Sequence, residues 1–150
     1  MRVVLQRVIE SSVTIDGKIV GKIGRGMMVL CGFEDADTDE DLEWTAKKIL
    51  GLRIFDDENG VMNLSVCDTD GELLVVSQFT LMASTKKGNR PSYIMAAKPE
   101  ISVPLYEKFK AMLSEGLGRP VQCGHFGADM KVALINDGPV TICIDSKNKI

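Results

Sequence analysis

Three Asp-Gly pairs, Asp16-Gly17, Asp70-Gly71 and Asp137-Gly138, each fall between two apolar runs of strand length. Asp-Gly readily supplies the positive φ angles of a tight hairpin turn, so this spacing predicts a chain that folds back on itself repeatedly as β-structure. Residues 2–10 and 12–15 are β-rich, and Asp16-Gly17 leads from them into KIVGKI. Gly24 and Gly26 punctuate the chain before MMVLCGF, whose unbroken apolar character marks a strand buried on both faces. RIF reads as a short strand, DDENG as a turn before VMNLSV, and Asp70-Gly71 as a second hairpin turn opening the strand LLVVSQFTL. MKVALIN and VTICID read as two closing strands joined by Asn136-Asp137-Gly138-Pro139.

Helical periodicity is confined to fewer segments. Thr38 is placed to cap a helix from about Asp39 to Leu50, with Leu42, Trp44, Ala46, Ile49 and Leu50 near one face and acids in its first turn. A second helix runs from about Val103 to Glu115, its core face carrying Leu105, Phe109, Met112 and Leu113, and Gly116 and Gly118 end it before Pro120. SYIMAAK reads as a short helix. Strands therefore outnumber helices, and no linker, low-complexity tract or repeat divides residues 1–150. The expectation is a single α+β domain, with largely antiparallel sheets forming a barrel-like core covered by two main helices. No Gly-rich motif follows a strand and opens a helix, which excludes a P-loop or Rossmann nucleotide site.

Composition narrows the function classes. The formal net charge of −3 argues against a protein that coats nucleic acid through its overall field. The charge is unevenly spread, however. Glu34 to Glu43 holds seven acids and no base, whereas Ala83 to Lys98 holds Lys86, Lys87, Arg90 and Lys98 and no acid. Such a basic loop suits a partner touched at a few phosphates; read alone, a solvated loop is the simpler reading. No run approaches the roughly 20 apolar residues that cross a bilayer, and no signal-peptide pattern opens the sequence, so a cytoplasmic protein without membrane partners is expected. Cys31, Cys67, Cys123 and Cys143 lack metal or redox spacing and are expected to be buried free thiols. His125 is the only histidine, which rules out a two-histidine metal site; no metal or cofactor is expected.

Two stretches resist a purely structural reading. LLVVSQFTL begins as a core strand and turns polar at Ser77, Gln78 and Thr80. Alternation along a strand puts Ser77 with Phe79 on one face and Gln78 with Thr80 on the other, so no in-out pattern houses all three. They are either the strand's solvated end or the wall of a site. In the second stretch, Pro139 follows an already adequate Asp-Gly turn, at a place where a missing N–H interrupts pairing. Its isomer is open from sequence alone.

SQFTL (Ser77 to Leu81), the KKGNRPS loop and NDGPVT (Asn136 to Thr141), in this order, closely resemble the D-aminoacyl-tRNA deacylase family, and the likeness extends over essentially the whole chain. Neither motif departs from the family pattern, and Tyr93 replaces a phenylalanine after RPS. The resemblance implies hydrolysis of the ester between a D-amino acid and the terminal adenosine of tRNA, a proofreading step in translation. It implies a homodimer in which a cis Gly138-Pro139 pair enters the partner's site and excludes L-aminoacyl-tRNA. It also implies that Ser77, Gln78, Phe79 and Thr80 line the pocket at the adenosine and the scissile ester.

Those residues suit the roles. The backbone N–H groups of Gln78 and Phe79 are candidates to stabilise the oxyanion of ester hydrolysis. Thr80 has a hydroxyl but no visible base beside it, so assistance by the tRNA 2′-hydroxyl is the favoured route. A rigid Gly-Pro unit that excludes one side of Cα should not reject glycine. Lys86, Lys87 and Arg90 are assigned, more weakly, to phosphates of the acceptor end. Two rivals remain at this point: a non-catalytic module that binds the tRNA acceptor end, and an esterase of small D-amino acid derivatives.

Overall fold

The computed structural model describes residues 1–150. Its frame is one long strand, β1 (Arg2–Ile15), that pairs along both edges. One edge is met by β8 (Lys131–Asp145) over nearly its whole length, antiparallel. The other edge is shared between β3 (Gly26–Gly32), opposite residues 2–8, and β2 (Lys18–Ile23), opposite residues 11–15. β3 continues the sheet to β6 (Glu72–Ser77) and then to the short β7 (Gln122–Cys123), both joined in parallel. β2 curls back until the position of a Gly21 Cβ would lie 2.6 Å from the Cys123 carbonyl oxygen. The mixed sheet is thus nearly closed into a barrel, and only a residue without a side chain permits that approach. A separate ribbon pairs β4 (Phe55–Asp56) with β5 (Met62–Leu64).

The apolar runs of β3 and β6 explain why the core comes in two layers. Alternation sends Met27, Val29, Cys31, Leu73 and Val75 outward to the helices, and Met28, Leu74 and Val76 inward with Val8, Val13 and Ile23. Both faces of these strands are buried, as their lack of polar alternation requires. The outer layer is roofed by α1 (Asp39–Gly51) and α2 (Pro99–Leu117), which supply Leu42, Ala46 and Ile49, and Tyr106, Phe109 and Leu113. The Tyr106 hydroxyl donates to the Val75 carbonyl at 3.0 Å and fixes α2 on β6; burial pushes its pKa far up, so it stays a neutral donor.

Helix α1 begins where the sequence places it. The Thr38 amide donates to Asp41 at 2.9 Å, and the Thr38 hydroxyl donates to the same carboxylate. Helix α2 starts four residues earlier than expected: Pro99 occupies the first turn, where no intrahelical donor is needed, and Pro104 is accommodated inside.

Four expectations need correction. Asp70 adopts a positive φ of 56°, yet no hairpin forms there, because β5 pairs with β4 and β6 pairs in parallel with β3. SYIMAAK is not a helix; Ala96 closes a turn on the Tyr93 carbonyl at 3.0 Å. MKVALIN and VTICID are one strand, since both pair antiparallel with β1 in the same direction. Of the four free thiols only Cys31 is buried; Cys67 and Cys143 are exposed and Cys123 is half-buried. No helix is long and apolar enough to cross a membrane.

Candidate active site

The polar end of the β6 segment does not continue as a strand. Strand geometry stops at Ser77, Gln78 breaks it, and Phe79–Met82 form a 3₁₀ turn. Strand alternation therefore ends at Ser77, and the turn aims the polar groups in new directions. A cavity of about 260 Å³ opens here, walled by Ser77, Gln78 and Phe79, by Phe33 and Ala97, and by the segment Phe126–Met130. Thr80 does not line it. Phe33, Ala97 and Phe126 carry no polar signature in the sequence and were not anticipated; they make much of the cavity wall apolar.

The hydrogen bonds select among the expected donors. The Gln78 amide is consumed by the Cys31 carbonyl at 2.7 Å, so it is not an oxyanion donor in this arrangement. Phe79 and Thr80 are the first two residues of the 3₁₀ turn, and their amides have no acceptor inside it. The Gln78 side-chain nitrogen donates to Thr80 Oγ1 at 2.5 Å, leaving the hydroxyl proton unassigned. The Cys31 thiol at the cavity floor is fully buried and bonded to the Val76 carbonyl; burial, offset only slightly by Lys110, pushes its pKa far up and makes it inert as a nucleophile. The one carboxylate at the mouth, Asp129, is solvated and paired with Lys131 at 2.8 Å. His125 is exposed and takes no part in the wall.

Gly138 and Pro139 lie elsewhere on the surface of the barrel. In the β1–β8 ladder Gln6 faces Thr141 and Val8 faces Asn136, so Asp137 to Val140 are looped out opposite the single residue Arg7. The Gly138–Pro139 peptide is cis. Arg7, buried and unanticipated, anchors this bulge: its Nε donates to the Asp137 carbonyl at 2.8 Å, and a terminal nitrogen donates to the Ile54 carbonyl at 2.6 Å and to Asp56 at 3.1 Å. The Asn136 side chain donates to the Arg7 and Val140 carbonyls and closes the bulge from the other side.

The register also sets the bulge apart from Ser77 along the sheet. Ser77 aligns with Cys31, Cys31 with Val3, and Val3 with Ile144. Pro139 is thus three strands across and five residues along the sheet from Ser77, and neither it nor Gly138 lines the cavity of its own chain. Lys86, Lys87 and Arg90 sit on an exposed arm closed by reciprocal Ser84–Ser92 bonds, and neither they nor Lys98 forms an ion pair.

With this geometry in hand, comparison with known proteins is decisive. The family model described as D-Tyr-tRNA(Tyr) deacylase matches residues 4–145. The chain belongs to that family. Relatives called D-aminoacyl-tRNA deacylase in Bacteroides fragilis (strain YCH46) and Flavobacterium psychrophilum are 66% and 65% identical, over 99% of both chains in each case. Among solved structures, one titled c-Myc DNA Unwinding Element Binding Protein is 42% identical, with a TM-score of 0.92 over 97% of this chain and 98% of the other. A probable eukaryotic D-amino acid tRNA deacylase, at 22% identity and TM-score 0.82, covers 95% of this chain and 97% of its own, and shares the fold. Family membership makes the protein an enzyme, a hydrolase of the deacylase class.

Proposed function

We propose that the protein hydrolyses the ester between a D-amino acid, or glycine, and the terminal adenosine of tRNA, releasing both for reuse. The observation that carries this reading is the cavity walled by Ser77, Gln78 and Phe79, in a chain whose family is defined by that chemistry. Water attacks the ester carbonyl, the Phe79 amide stabilises the oxyanion, and the bond to the ribose oxygen breaks as that oxygen regains a proton. The neighbouring 2′-hydroxyl orients the water, which supplies by proximity what no protein base provides.

Chirality is assigned to Gly138 and Pro139 of a second copy. The absence of Gly138 and Pro139 from the wall of their own chain's cavity supports this, because the bulge does not complete the cavity from within the same subunit. Exposed Ile9, Val132 and Ile135 on β1 and β8 give that second copy an apolar surface to cover. Rigid carbonyls entering from the partner would occupy the space of an L side chain and leave a D side chain or glycine unhindered.

A deacylation time course on D-tyrosyl-tRNA and L-tyrosyl-tRNA, with chelator present, tests the reading. Rapid loss of the D ester alone is expected. Binding of tRNA without cleavage of either ester would turn the assignment toward an acceptor-end binding module. Thr80→Val should keep activity within about tenfold of the parent, because Thr80 lies outside the cavity wall and lacks a base. Complete loss with the fold preserved, seen in single-turnover rates, would restore Thr80 as a nucleophile.

A further inference from the structure

We propose that the arm at residues 84–98 holds the unpaired bases of the RNA chain immediately before the terminal adenosine, with Ile94 and Met95 as its apolar contact surface. This rests on the reading of an aminoacylated RNA end as substrate and extends it to a second, separate contact.

The turn at 93–96 has an unusual composition. Its two corner residues are Ile94, 86% exposed, and Met95, 55% exposed. Corners favour Gly, Asn, Asp or Pro, so two apolar side chains placed there in water point to something that covers them. Beside them Tyr93 packs edge-on against Phe79, ring centroids 5.1 Å apart, and both rings are partly exposed. Phe79 also walls the cavity, so the apolar surface begins where the terminal nucleoside would sit and runs outward from it. The flank is basic: Lys86, Lys87, Arg90 and Lys98 carry no ion-pair partner, and no acid occurs between Ala83 and Lys98.

Apolar and aromatic side chains bordered by unpaired cations match a single-stranded nucleic acid, whose bases present flat apolar faces and whose backbone is a row of phosphates. A second copy of this chain fits less well. A twofold contact centred on the patch would set four cations against their own counterparts.

The test uses the full-length protein, a short single-stranded RNA ending in CCA, intact D-aminoacyl-tRNA, and the same D-amino acid esterified to adenosine alone. Ile94→Ser with Met95→Ser is expected to weaken RNA binding by about tenfold and to raise KM for the charged tRNA similarly. Its kcat on the adenosine ester should be unchanged, since the Phe79–Tyr93 pair is retained. Lys86→Ala with Lys87→Ala should flatten the salt dependence of RNA binding by about two phosphate contacts. Unchanged RNA affinity in the Ile94/Met95 variant would overturn the inference. So would loss of RNA binding together with conversion of a dimer to a monomer, which would make the patch a contact between copies. If the parent cleaves neither ester while the variant still loses RNA binding, the platform stands and the hydrolytic reading falls.

Discussion

Gly138→Ala is expected to cost at least about a hundredfold in deacylation of D-aminoacyl-tRNA while leaving the fold in place. A Cβ at this position would stand 2.0 Å from the Val140 backbone nitrogen and 3.2 Å from the Asn136 side-chain oxygen. The first contact is with backbone, which has no rotamer to escape into, so the bulge must change shape. The ladder on either side, from Lys131 to Asn136 and from Thr141 to Asp145, remains paired to β1 and limits the damage to the loop. A change of that kind moves the carbonyls that the proposed mechanism places in the partner's cavity, and misplacement by an ångström is enough for a loss of this size. Gly51→Ala is the control: beyond its chain neighbours and the helix's own backbone, nothing lies within 4 Å of a Cβ there. Rates for the D and L esters, measured beside far-ultraviolet circular dichroism, check the expectation. A folded Gly138 variant with parental rate and parental chirality would remove the Gly-Pro pair from the site.

Features decided by neighbours in sequence were legible; those decided by pairing partners were not. The Asp16-Gly17 hairpin, the Thr38 start of α1 and the doubly buried β3 all rest on local pattern, and all three are found. At Asp70 the local reading was right about conformation and wrong about consequence. The residue does take a left-handed φ, but the strand that follows finds β3, nearly fifty residues earlier, a more apolar partner than β5. The NDGPVT segment failed for the same reason: a turn and a wide bulge use similar residues, and only the shared partner β1 distinguishes them. In the candidate site, Ser77 and Gln78 stood out because polarity follows an apolar run, whereas Phe79 was named only through the family resemblance. Phe33, Ala97 and Phe126 look like ordinary core residues and become cavity wall only once distant segments meet. The Gln78 amide shows the limit most sharply, since a backbone donor carries no mark in sequence of whether it is already spent.

Arg7→Met is expected to lower stability by about 2–4 kcal/mol and to reduce activity further than that loss explains. Methionine keeps much of the volume but abandons the buried Ile54 carbonyl, at about 1–3 kcal/mol, and the partly buried Asp137 carbonyl, at about 1 kcal/mol because water can reach it. The carboxylates of Asp56 and Asp137 are partly solvated, so losing their ion pairs adds less. Against a typical total of about 5–15 kcal/mol this is a large fraction, read as a drop in urea midpoint at unchanged slope. Arg25→Met is the comparison, because Arg25 is 73% exposed and only grazes Asp137 at 4.0 Å; its cost should stay below about 0.5 kcal/mol. The activity readout separates anchoring from simple stability. At a temperature where Arg7→Met is still fully folded, a bulge freed from its guanidinium no longer holds its carbonyls in one place, so D-ester turnover should fall about tenfold or more and discrimination against the L ester should weaken. Arg7→Lys should recover part of the stability but not the turnover, since a single ammonium on a flexible stem cannot span Ile54, Asp56 and Asp137 as the planar fork does. Equal midpoints for the Arg7 and Arg25 variants would mean that the backbone of β8 holds the bulge unaided.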